Sequence, residues 1–147
     1  MAKTFTTMVG LENYLENACE KAVKITCEML LGKLQNLIMS EYYDAYDNKT
    51  YDRTYQFYRS AMMQMLSKNV GEIFMDSSAM NYPFSGWGWG WTGDLQLEEG
   101  NKGIHGGWST NESKSHHYWK SFEEYCNTNA IKLLRQNLVA QGLTLSK

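Results

Sequence analysis

Residues 11–42 read LENYLENACEKAVKITCEMLLGKLQNLIMSEY. Leu11, Leu15, Ala18, Ala22, Ile25 and Met29 recur at alternating steps of four and three, and Leu34 and Ile38 continue the same face. That spacing matches the 3.6-residue turn, so the stretch is expected to form one amphipathic helix with its apolar seam buried. No proline interrupts it, and Gly32 weakens it only locally. At 1.5 Å per residue a helix from Leu11 to Tyr42 is about 48 Å long. A helix of that length either spans the whole domain or offers part of its face to a neighbour. Asp47 and Asn48 are turn residues, which puts its end near Tyr43.

Six tyrosines follow between Tyr42 and Tyr58. Ser60 to Leu66 and Glu72 to Met75 are expected to be strands of a hairpin turning around Ser67 to Gly71. From Ser77 to Ser115 the periodicity stops. Eight of the twelve glycines, the only proline and four of the five tryptophans lie here, including Trp108. So long a segment without a pattern is expected to be functional or partly disordered. From about His116 to Gln141 the chain returns to helical spacing. Phe122, Cys126, Ala130, Leu133 and Leu134 share a face, and Gly142 stands where a helix C-terminus ends. The expected architecture is α+β and a single domain over residues 1–147: a long N-terminal helix and a C-terminal helix packed on a small antiparallel sheet.

The chain has 147 residues, 43% of them hydrophobic, enough to build a core. A formal net charge of −2 argues against tight binding to DNA or RNA. No apolar run follows the N-terminal lysine, so no secretion leader is expected, and no window approaches the ~18 apolar residues of a membrane span. Three cysteines, Cys19, Cys27 and Cys126, are an odd number; free thiols in a reducing cytoplasm are expected.

Catalytic patterns are missing. His116 and His117 are adjacent and diverge on a helix, His105 stands apart, and no metal-ligand spacing occurs. GNKGIHGGW places glycines around Lys102 but lacks the lysine-serine/threonine ending of a phosphate loop. Glu123 and Glu124 are neighbours that do not converge, and read as a solvated face. The expectation is therefore no enzyme, no metal and no cofactor.

The aromatic residues carry the strongest signal. In SGWGWGWTG, residues 85–93, three tryptophans alternate with glycine. If the segment is extended, Trp87, Trp89 and Trp91 fall on one side, and the bare glycine side admits another backbone or a broad surface. Three uses follow: packing on the chain's own sheet, insertion into a groove of a neighbouring subunit, and, ranked below both, a platform for sugar rings or bases. No basic residue lies between Phe84 and Gly100 to hold phosphates.

The stretch YDNKTYDRTYQFYRS, residues 46–60, resembles a pattern of phage and prophage neck or minor tail proteins that runs Tyr-x-Pro-x-x-Tyr-x-Arg-Thr-x-x-Leu-x-x-Ser. Tyr46, Tyr51, Arg53, Thr54 and Ser60 match at the same spacing. Asn48 stands for the proline and still makes a turn, and Phe57 stands for the leucine and still fills a core site. The order of N-terminal helix, motif, hairpin, glycine-rich loop and C-terminal helix also agrees.

This resemblance implies a structural, non-enzymatic component of a tailed-phage virion, assembled in the host cytoplasm. It implies a homo-oligomeric ring at the head–tail junction or tail end. The ring would contact portal or connector proteins and tail proteins, and genome DNA would pass through without tight binding. Trp87, Trp89, Trp91 and Trp108 are then expected at the subunit interface. The alternative is a carbohydrate-binding module on the Trp87, Trp89 and Trp91 platform.

Overall fold

The computed structural model describes residues 4–44, 55–80, 93–94, 97–98 and 117–143. Its axis is α1, Met8–Leu37, which continues as a π-helical segment Ile38–Tyr43. Thr7 starts the helix from an extended backbone, its hydroxyl accepting the Gly10 amide at 3.1 Å. At the far end the Asp44 amide donates to the Met39 carbonyl, five residues back, at 2.8 Å. The wider turn brings Ile38 and Tyr43 both into the core.

A short helix α2, Gln56–Ser60, runs directly into β1, Ala61–Ser67, which pairs antiparallel with β2, Val70–Met75. The register runs from Ala61 opposite Met75 to Ser67 opposite Val70, with an irregularity between Met65 and Ser67 that leaves Leu66 as the extra residue of a bulge. The two strands form the whole sheet among the described residues. A 3₁₀ turn, Ser77–Ala79, follows, opened by Asp76. The C-terminal helix α3 spans Tyr118–Ala140.

Helix α3 runs antiparallel to α1. Tyr14 donates to the Gln141 carbonyl at 2.8 Å, Asn137 donates to Thr26 Oγ1 at 3.0 Å, Lys33 lies over the Tyr125 ring, and Ser121 donates to Glu41 at 3.2 Å. α3 ends in a Schellman motif. Gly142 takes φ +88°, its amide donates to Val139 O at 2.9 Å, and the Leu143 amide donates to Leu138 O at 3.1 Å. Gly142 is the expected stop, since a side chain there would carry left-handed strain.

The α+β architecture is as expected from the sequence, with one difference of detail along α1. The expected seam included Leu15 and Met29, which are exposed, whereas Cys27, Leu30 and Leu37 are buried beside Ala18, Ala22, Leu34 and Ile38. The reason is that α1 packs against both the hairpin and α3, so its buried surface is wider than one seam. The side chains in that wider surface need not keep the spacing of a single stripe.

Candidate functional site

The expected motif residues divide between the described and the remaining chain. Phe57 and Ser60 are described, and both are fully buried. Tyr46, Tyr51, Arg53 and Thr54 lie outside the described residues, as do Trp87, Trp89, Trp91 and Trp108. The site can therefore be built only from its base, the end of the molecule from which both segments depart.

That base is an aromatic cluster. The Phe57 ring stacks on Tyr42 at 4.4 Å and meets Tyr118 edge-on at 5.3 Å. Tyr43 lies edge-on to Tyr42 at 5.1 Å and against Tyr55 at 4.9 Å. Tyr55 is the single non-glycine residue with positive φ among the described residues, at φ 55° and ψ 24°. A tyrosine in that region costs about 1–3 kcal/mol, which its ring contact with Tyr43 helps to offset. Burial raises the Tyr118 phenol above its ordinary range, so it stays neutral well into alkaline solution.

The backbone joins the cluster to the hairpin through Ser60. Its hydroxyl donates to the Phe57 carbonyl at 2.7 Å, and its own carbonyl accepts the Asp76 amide at 2.7 Å. Asp76 in turn accepts the Ser78 amide at 2.9 Å and the Ser78 hydroxyl at 2.6 Å. These hydrogen bonds, the hydroxyl's first, lower the Asp76 carboxyl below its ordinary value. The turn delivers Met80 into the core beside Phe57, Tyr118 and Phe122. Gly93 returns to the same place: a Cβ there would collide with the Ser77 carbonyl. The Trp-Gly stretch is thus flanked by two anchors, Met80 and Gly93, on one turn.

Sequence reasoning did not anticipate a groove between α1's partners. A groove of about 300 Å³ runs between the hairpin turn and α3, floored by Val23, Thr26 and Cys27 of α1. Its lining is mostly apolar, with Val70 and Ile131 on the rims. Gly71 makes the groove possible, because its backbone rests on the Cys27 sulfur where a side chain would clash. The available signal was an isolated glycine in a strand.

Among the described residues no three His, Cys, Asp or Glu side chains are placed to hold a metal. Burial, with Glu28 adding to it, raises the Cys27 thiol; burial, with Glu123 adding, raises Cys126. Both thiols are thereby kept protonated and weakly nucleophilic. Glu123 accepts the Trp119 indole N–H at 3.0 Å and is exposed, as is Glu124. No described helix is long and apolar enough to cross a membrane.

A family model described as YomN matches residues 7–140. The name is that of a phage-derived, SPbeta prophage-like protein and points to a prophage origin. Searches of curated proteins and of solved structures return no significant match.

Proposed function

The chain belongs to the YomN family, and from that premise we propose that it is a structural virion protein of a tailed phage. It sits at the head–tail junction or the tail end, forms a ring around the DNA channel, and joins the rings above and below. The observation that carries this reading is a coincidence. A family of phage-derived name covers residues 7–140, and within that span the Tyr46–Ser60 pattern resembles neck and minor tail proteins. The mildly acidic charge of −2 supports the same reading, because a channel that releases DNA must not hold phosphates.

Within this reading the aromatic base anchors the subunit, and Trp87, Trp89, Trp91 and Trp108 supply contact area to a neighbour. Tryptophan is a common hot-spot residue at interfaces. The test replaces Trp87, Trp89 and Trp91 together with serine. The variant is expected to melt like the wild type yet fail to co-purify with particles. If it unfolds, the rings belong to the subunit's own core. If it folds and joins particles normally, the interface role is wrong, and retention of the wild type on a glycan resin becomes the next measurement.

A further inference from the structure

The outer face of α3 carries a pattern on which no described element packs. Glu124, Thr128, Ile131 and Arg135 lie along one stripe of the helix, opposite the face that packs on α1. All four are exposed, Ile131 by 69%. Ile131, which borders the groove on one side, leaves most of its side chain in solvent, and isoleucine brings no helix-propensity advantage there. Neither Glu124 nor Arg135 has an ion-pair partner among the described residues. The Thr128 hydroxyl is used on its own helix, donating to the Glu124 carbonyl at 3.0 Å.

The stripe is complementary to its own reverse. We propose that two copies of this chain associate through the outer faces of α3, antiparallel, about a two-fold axis midway between Thr128 and Ile131. In that register Glu124 faces Arg135 of the second copy and Thr128 faces its Ile131, and each contact occurs twice. A parallel register would set Glu124 on Glu124 and Arg135 on Arg135, which repel. This self-complementarity makes a second copy, rather than an unrelated partner, the occupant.

Such a contact closes after two copies. It differs from the head-to-tail contacts of a ring and is independent of the virion reading. The test is sedimentation equilibrium of the full chain over a range of concentrations, with thermal melts as the control for folding. Wild type is expected to show a monomer–dimer equilibrium that weakens with salt. Arg135→Glu and Glu124→Arg each break both symmetric ion pairs and introduce repulsion, so each is expected to weaken association by about tenfold. The two changes combined restore the complementarity and are expected to return association to within about threefold of wild type. All of these positions are exposed, so folding is expected to be unaffected. A chain that stays monomeric throughout overturns the proposal. So does association that neither charge reversal weakens, or that the combined variant fails to recover.

Discussion

The two ends of α1 are built on different scales. From Leu30 to Tyr43 the helix packs large side chains: Leu34, Leu37, Ile38 and Tyr43 lie among Phe57, Tyr118, Phe122 and Met80. From Met8 to Cys27 its buried residues are Ala18, Ala22, Thr26 and Cys27, while Met8, Val9 and Leu15 stay exposed. Small side chains let α3 and the hairpin approach closely but bury little apolar area. The first end supplies most of the hydrophobic stabilisation, at about 25 cal/mol per Å² buried. The second is held by directional contacts: Tyr14 on the Gln141 carbonyl, Asn137 on Thr26, Thr26 in turn on the Ala22 carbonyl at 2.7 Å, and Lys68 on Glu16 at 3.0 Å. Apolar mass and hydrogen-bond geometry thus hold different parts of one helix.

The strongest test of that contrast is at Phe57. Its ring is fully buried between Tyr42 and Tyr118. Phe57→Ala leaves a cavity that the rigid surrounding rings cannot collapse to fill, and is expected to cost about 3–5 kcal/mol. That is a large share of the 5–15 kcal/mol typical of a domain. Denaturant unfolding reads it directly, and a loss under about 1 kcal/mol would mean that the aromatic end is not where stability lies.

The same substitution at both ends of α1 sharpens the comparison. Leu34 is fully buried, and Leu34→Ala is expected to cost about 2–5 kcal/mol. Leu15 is 40% exposed, and Leu15→Ala is expected to cost less than about 1 kcal/mol, with alanine's helix propensity acting in its favour. Equal losses would show that the burial difference has no energetic counterpart.

Gly71 tests close approach at the thinner end. Gly71→Ala drives a Cβ into the Cys27 sulfur and toward Met65, and an overpacked contact of this kind costs about 1–3 kcal/mol. Cys27→Ala removes the obstructing sulfur, so the double variant is expected to lose less than the two single losses added together. Strict additivity in the double-mutant cycle would mean that glycine is needed there for its backbone rather than for space.

These contrasts also mark how far the sequence could be read. Helix ends were legible because caps are local: Gly142 and the turn after Tyr43 each follow from a few residues. The hairpin was legible as two strands joined around Ser67 to Gly71, but its strands reach further into that connection, to Ser67 and from Val70. The burial of Leu15 and Met29 was misjudged because periodicity assumes one buried stripe, whereas α1 has two partners whose positions depend on residues far along the chain. The short helix α2 and the π-helical segment were not legible at all, since tertiary packing of Phe57 and Tyr43 decides them. Of the candidate site, Phe57 and Ser60 are described, and both are buried. The tryptophans and Arg53 lie outside the described residues.

The smallest expected effect separates the two ends by pH. Asp76 stands at the dense end, where its amide meets Ser60 and its carboxylate collects two hydrogen bonds from Ser78. Those bonds hold its carboxyl below the ordinary value of 3.8. A carboxyl lowered by folding contributes stability above its unfolded value and loses it as pH falls through the folded one. Lys68, at the thin end, is raised by its hydrogen bond to Glu16, so its own deprotonation removes that contact only in alkali. Wild type and an Asp76 variant share the Lys68 contact, so the difference between them on an acid scan reads Asp76. Asp76→Asn keeps an oxygen that can accept from Ser78 but removes the charge. The melting temperature of the wild type is expected to exceed that of the variant slightly at neutral pH, and the gap to close as the pH drops below about 4. A gap that is constant or widening on acidification would show that the cap acts by geometry alone, and that the dense end draws nothing from charge.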